Sequence, residues 1–287
     1  MPTIDESALK GGGFIKLRPA GEYAVRVKIL VGDATAEQLR AVTEVAERYG
    51  DGTVHLTVRQ CIEVPYVHLE DFGPITARLA EVGLGPGACG PRVRVPVCCP
   101  GSTLCPRGLN DTKTLAKALD AELYGGGEIP HKFKVGVTGC SSSCAKPQEN
   151  DLGYMGAVEP AFEPDACIAC GLCAETCPVG AISLDADGHP VIDTVLCRHD
   201  GKCIGVCPSG ALRAGRTGWR VFVGGRFGAE PKLGVELVPF IGGDEALPLA
   251  RRVLGAYVAL ADKRERLGVM IDRIGLDAFK ERVLTDE

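Results

Sequence analysis

The chain has 287 residues, 14 of them Cys, 38 Gly and 19 Pro, and a formal net charge of −5. That length suits two domains whose cores need no disulfide support, and the acidic balance argues against non-specific binding of nucleic acid. The N-terminus shows no apolar signal core, and no run approaches the ~20 apolar residues of a bilayer span. The expected setting is therefore cytoplasmic and off the membrane, where cysteine clusters hold metal more often than they form disulfides.

Glycines 11–13 read as a flexible N-terminal segment; no strand precedes them, so they form no dinucleotide loop. Residues 22–31 (EYAVRVKILV) alternate as a strand, with Val25, Val27, Ile29 and Val31 on one face. Leu39, Val42, Ala46 and Tyr49 recur at helical spacing over 35–50, ahead of Gly50. A second strand is predicted over 54–64 (VHLTVRQCIEV) and a weaker helix over 69–82. This order describes a small α/β or α+β module. The Gly- and Pro-rich stretch 83–100 then marks a domain junction.

Asp111 is predicted to cap a helix carrying Leu115, Leu119 and Leu123. Residues 132–138 (KFKVGVT) form a strand leading into Cys140, so Lys132 and Lys134 share a face. Core patterning returns in strands at 219–223 and 235–238 and in a helix through Val253, Leu254, Tyr257 and Val258. Between these, 160–214 is short-segmented and cysteine-punctuated, an insertion within a domain.

Cys167, Cys170, Cys173 and Cys177 before Pro178 spell C-x₂-C-x₂-C-x₃-C-P, the bacterial two-cluster ferredoxin run. A second run, Cys197, Cys203 and Cys207 before Pro208, has Asp200 where its second Cys would fall. In the usual interleaving one cluster takes Cys167, Cys170, Cys173 and Cys207. The other takes Cys177, Cys197 and Cys203, and is either 4Fe–4S with Asp200 (His199 as substitute) or 3Fe–4S with that corner empty. Cys99, Cys105, Cys140 and Cys144 make a further set, C-x₅-C and C-x₃-C, fit for a cubane or a tetrahedral zinc ion. Cys61, Cys89 and Cys98 read as packed thiols.

Through RPAGEYAVRV (18–27), LTVRQ (56–60), VRVPVCCPGSTLC (93–105), PHKFKVGVTGCSSSCAKPQENDLG (130–153) and GGRFGAEPKLG (224–234), the chain resembles the siroheme-containing sulfite and nitrite reductases. The resemblance implies that Cys99, Cys105, Cys140 and Cys144 hold a 4Fe–4S cluster and that the Cys144 thiolate also binds siroheme iron. It implies substrate-facing roles for Arg59, Arg94, Lys132 and Lys134. Arg59 and Arg94, with Lys16 and Arg18, are also candidates for binding siroheme carboxylates. The insertion is similar to that of the dissimilatory, anaerobic C-subunit and deazaflavin-dependent sulfite reductases.

The fold implied is α+β: a ferredoxin-like half domain (1–85), a siroheme and 4Fe–4S domain (86–159 and 216–287), and an inserted two-cluster ferredoxin domain (160–215). The activity implied is six-electron reduction of sulfite to sulfide, with nitrite reduction to ammonia or a non-catalytic electron-relay subunit as alternatives. No flavin or dinucleotide fingerprint is visible, so electrons are expected from an external donor protein docking near the insertion. Larger members carry two similar halves and this chain one. A homodimer or higher homo-oligomer is therefore expected, with siroheme near the interface and the basic residues of one chain facing the haem of its partner.

Overall fold

The computed structural model describes residues 5–87, 89–125 and 127–285. In the N-terminal part, Asp5 caps a short helix α1 (Glu6–Gly11) by accepting from Ser7 N and Ala8 N. Strands β1 (Phe14–Lys16) and β2 (Tyr23–Val27) follow, then helix α2 (Ala36–Tyr49). Thr35 and Gln38 form a reciprocal capping box at its start, which explains why the helix begins there. The chain continues as β3 (His55–Leu56), β4 (Ile62–Val67) and α3 (Phe72–Ala80). The four strands make one antiparallel sheet in the order β1-β2-β4-β3. Val25, Val27, Val42, Val45, Val64, Ile75 and Leu79 form its core.

Four expectations change here. The strand read over 22–31 ends at Val27, and Val31 takes a left-handed backbone (φ 56) in the turn at Leu30–Gly32 and packs into the other core. Residues 54–64 are not one strand: they fold back at Thr57–Cys61, where Gln60 takes a left-handed backbone (φ 60) and β3 pairs with β4 as a hairpin. Leu39 is 46% exposed, because Ala41 and Val45 occupy the buried stripe of α2 instead. Glycines 11–13 are not a loose segment. Gly13 is buried at φ +90, and a side chain there would press within 2.7 Å of Pro86 Cβ.

The second part is built on a five-stranded mixed sheet. Strand β5 (Val97–Cys98) leads through helix α4 (Thr112–Leu123) to β6 (Val135–Thr138) and then β7 (Leu152–Phe162). Asp111 caps α4 by accepting from Lys113 N and Thr114 N, as predicted. The inserted unit consists of α5 (Leu172–Thr176), a hairpin of β8 (Ile182–Leu184) and β9 (Pro190–Ile192), and α6 (Lys202–Val206). The chain then returns through β10 (Leu212–Val223) and β11 (Val235–Gly242) and ends in α7 (Ala246–Leu260), α8 (Leu267–Ile274) and α9 (Leu276–Leu284).

The sheet order is β11-β10-β7-β6-β5, with β5, β6 and β7 parallel and β7, β10 and β11 antiparallel. Its core includes Leu119, Phe133, Val137, Leu152, Tyr154, Trp219, Leu249 and Tyr257. Parallel neighbours end at the same sheet edge. β5 and β6, in register at Cys98 and Val137, therefore deliver Cys99 and Cys140 to one place.

β7 and β10 stay paired out to Phe162 and Leu212, with an irregularity between Ala214 and Thr217. The cysteine-rich unit sits at the tip of this ribbon. It has its own small core of Cys173, Ile182, Cys203 and Leu212. Among the described residues no helix is long and apolar enough to cross a membrane.

Candidate functional site

A cleft of about 520 Å³ lies where the half domain meets the C-terminal ends of β5 and β6. Arg59, Cys99, Lys134, Cys144, Lys146 and Asn150 all line it. Two loops carry the cysteines. Gly139 N donates to Cys99 Sγ at 3.1 Å, and Leu109 N to Gly139 O at 2.8 Å, so the C-x₅-C and C-x₃-C loops lie against each other. Gly139 allows this approach, since a Cβ there would stand 3.1 Å from Gly101 Cα, and Gly156 on β7 makes room for Gly139 in turn, a Cβ there standing 2.2 Å from Gly139 O. Cys144 is exposed, while Cys99, Cys105 and Cys140 are half-buried. Cys105 and Cys140 are not among the cleft-lining residues.

The cleft is strongly cationic. Arg59 comes from the β3–β4 turn; its Nη1 donates to Asn150 Oδ1 at 2.9 Å, and its Nη2 to Val95 O at 2.8 Å and Val135 O at 3.3 Å. Burial, with like charge from Arg94, lowers its pKa to about 10. Burial first, then Arg59, Lys132 and Arg266, lower that of Lys134 to about 8. Lys132 is pushed down by burial and by Arg266 and Arg94. These lysines flank Phe133, whose side chain is fully buried, so both point away from the core. Crowded cations that depress one another's pKa make a site whose natural occupant is an anion.

Arg94 is held differently: its Nη2 donates to Gly90 O at 3.0 Å, its Nε has no partner among the described residues, and it does not line the cleft. Lys132 does not line it either. Lys16 and Arg18 are not brought there at all. Lys16 ends β1, at the sheet edge opposite Arg59's hairpin, and bonds Glu6 at 2.5 Å; Arg18 is exposed in the turn that follows. Arg59 and Lys134, expected to act across a protomer boundary, share a cleft with Cys99 and Cys144 of their own chain.

Cys98 and Cys61 are buried, and burial raises both thiols, that of Cys98 to about 11. Cys89 is buried too but is no simple apolar filler: Arg26 Nη1 donates to its Sγ at 2.8 Å. His131 Nδ1 accepts from Lys132 N, as suits a loop residue.

Sequence reading missed four features at or behind the cleft: Gln60, Lys146, Asn150 and the Asp151–Arg266 pair. Asp151 is fully buried, is chelated by Arg266 at 2.8 Å, and accepts from Lys134 N at 2.8 Å. Burial raises its pKa against the pull of Arg266. Asn150 and Asp151 stand in the ENDLG segment at 149–153, but nothing local signals Arg266, 115 positions away.

In the insertion the two halves repeat one conformation. Ala169 and His199 both have φ 53, and left-handed Gly171 and Gly201 open α5 and α6. Ala169 N and His199 N each donate to the sulfur two residues back, Cys167 and Cys197, at 3.4 Å. Ala181 N donates to Cys177 Sγ, four residues back, at 3.2 Å, and Leu212 N to Cys207 Sγ, five residues back, at 3.3 Å. Such bonds favour thiolate: they pull the Cys207 thiol down, while at Cys197 burial outweighs them and raises the thiol.

Two small cavities result. One is lined by Cys167, Cys170, Cys173 and Cys207, the other by Cys177, Cys197, Cys203 and Asp200, with His199 beside them. Asp200 Oδ1 accepts from Lys202 N at 3.2 Å. Among the described residues no three His, Cys, Asp or Glu side chains converge on a point fit for a single metal ion. All 14 cysteines are free thiols.

Residues 89–287 match the nitrite and sulphite reductase 4Fe-4S domain, and residues 15–82 the nitrite/sulfite reductase ferredoxin-like half domain. A coenzyme F420-dependent sulfite reductase of Methanocaldococcus jannaschii is 34% identical over 274 residues, covering 94% of this chain and 44% of that protein. The chain thus spans less than half the length of that relative. One of the subunits of the anaerobic sulfite reductase of Salmonella typhimurium is 29% identical over 92% of this chain and 84% of its own. The crystal structure of dissimilatory sulfite reductase I superposes with a TM-score of 0.74 at 22% identity, covering 93% of this chain and 70% of that one, which shows a shared fold. The chain belongs to the nitrite and sulphite reductase family.

Proposed function

From membership of that family, we propose that this chain is a siroheme-dependent sulfite reductase carrying out SO₃²⁻ + 6e⁻ + 7H⁺ → HS⁻ + 3H₂O. The observation that carries the reading is one cleft lined together by Cys99, Cys144, Arg59 and Lys134. The donor set fits the cofactors. Cys99, Cys105, Cys140 and Cys144 would hold a 4Fe–4S cluster, and the exposed Cys144 would also ligate siroheme. Bound there, the pair would supply single-electron redox chemistry to an anion in the cleft.

The chain's own side chains do the rest. Arg59 places fixed positive charge at the cleft wall. Lys134, titrating near 8, attracts the anion as an ammonium and can release its proton to an oxygen leaving as water. Lys132 and Arg94 add to the field from behind. Siroheme's carboxylates fit the same cationic surroundings.

The two cavities of the insertion match the interleaved ligand sets of a two-cluster ferredoxin, with Asp200 standing where a fourth thiolate would be. In this reading they relay electrons from an external donor protein to the cleft. Fully exposed Val58 and partly exposed Phe227 rim the cleft, and a second copy of the chain covering them would shield it from water.

The test is anaerobic oxidation of reduced viologen by the purified protein, with sulfite and nitrite side by side and iron counted per chain. Turnover favouring sulfite, with iron for three clusters and a haem, supports the reading. Preference for nitrite, or haem absorbance without turnover, would replace it with one of the alternatives.

A further inference from the structure

Arg59 crosses from one domain to the other, and the acceptors that meet it are specific. Val95 O and Val135 O belong to the segments that lead to Cys99 and Cys140. The third, Asn150 Oδ1, belongs to a side chain only 4% exposed, whose Nδ2 donates to Lys146 O at 3.0 Å. Lys146 has a left-handed backbone (φ 47) and closes the turn two residues beyond Cys144. The amide packs against the bare backbone of Gly136, where a Cβ would stand 2.5 Å from Asn150 Nδ2, so glycine at that position makes the room it occupies. An amide has one accepting and one donating end. Here only the oxygen can face a guanidinium and only the nitrogen can face a carbonyl, so both contacts fix one orientation.

We infer that Asn150 is a positioning residue that couples the aim of the Arg59 guanidinium in the cleft to the turn that presents Cys144. Substrate charge and haem-ligand geometry are then set by one side chain that need touch neither substrate nor cofactor. Three of the five guanidinium N–H donors are held by protein acceptors, which leaves two for an anion or a cofactor carboxylate. Without Asn150 the guanidinium loses one of its three anchors, and Lys146 O loses its side-chain donor while keeping the backbone one from Glu149 N. The inference rests on the sulfite reductase reading for its substrate arm but not for its spectroscopic arm.

Two variants of the holoprotein separate the contacts. Asn150→Ala removes both. Asn150→Asp is isosteric and keeps an acceptor for Arg59, but sets a carboxylate oxygen against Lys146 O and so breaks the Cys144 side. For Asn150→Ala the expected result is a sulfite KM about tenfold higher with kcat within about threefold, the mark of lost binding common to ground and transition state. Both variants should shift the EPR signals and absorption of the haem coupled to its cluster, while the insertion's signals stay in place. Wild-type KM and wild-type haem spectra in both variants, even with a lowered melting temperature, would overturn the inference. So would a raised KM with unaltered spectra, because coupling requires both. If Asn150→Ala does not fold, Asn150→Asp carries the spectroscopic arm. If the wild type itself turns over no sulfite, the functional reading fails, and the spectra alone decide whether Asn150 positions the Cys144 turn.

Discussion

The cysteines of the cleft and those of the insertion reach their positions by opposite routes. In the insertion, short runs fold back on themselves: a left-handed glycine, a five-residue helix and N–H···S bonds two to five residues long in sequence place each sulfur. A satellite core of Cys173, Ile182, Cys203 and Leu212 suffices. At the cleft, two cysteine pairs are separated by a helix and a strand, and meet because β5 and β6 are parallel neighbours in a large sheet. Their surroundings come from further away still, from the half domain (Arg59) and from the residue that leads into α8 (Arg266). On the proposed reading, local geometry suits a relay, which would only have to hold clusters. A reaction site also needs charges aimed from several directions, and only tertiary structure gathers those.

That contrast predicts independence. Cys144→Ser should abolish the haem band and lower sulfite-dependent viologen oxidation by about a thousandfold or more, since the ligand acts as a unit with its neighbours. EPR of the same sample should still show the insertion's reduced clusters. Loss of those signals too would break the comparison.

Arg266→Leu leaves a buried Asp151 carboxylate unpaired and should cost about 3–5 kcal/mol in urea unfolding of the chain. The double variant Arg266→Leu with Asp151→Leu should recover much of it. A cost near zero for the single variant would mean the cleft is not braced from α8.

Lys134 should give the wild type a pH limb. Its ammonium is present below a pKa of about 8 and lost above it, so sulfite kcat/KM should fall as pH rises through 8. In Lys134→Met that limb should vanish and the plateau value drop about tenfold. A limb unchanged in the variant would assign the proton to another group.

The smallest effect is expected at Asp200→Cys. Activity should stay within about threefold, while the EPR signal of that one cluster changes to that of an all-thiolate cubane. A spectrum identical to wild type would remove Asp200 from the ligand set and leave the cavity's fourth position to His199 or to none.

Much of the architecture was legible. Asp111 capped its helix as read, the strand through Trp219 formed, the one leading to Cys140 formed over Val135–Thr138 without Lys132 and Lys134, and the two-run spacing of the insertion placed the interleaved sulfurs around two cavities. The strand read over 54–64 failed because apolar alternation continues through a turn that Gln60 makes with a left-handed backbone, held by paired bonds to Cys98 N and O. That clamp is made to a residue 38 positions away, so no window of sequence could show it. Cys89 looked inert for the same reason, its Arg26 partner being 63 positions off.

What the sequence determined by itself is the chemistry available: which thiolates come in runs, which helix starts where, which segments are core. Those rest on neighbours within a few residues, where spacing is geometry. Which cations face which sulfur was decided only by the tertiary structure. Arg59 and Lys134 met Cys144 while Lys16 and Arg18 did not, because strand order in two sheets, and not position along the chain, sets which ends of which elements share an edge.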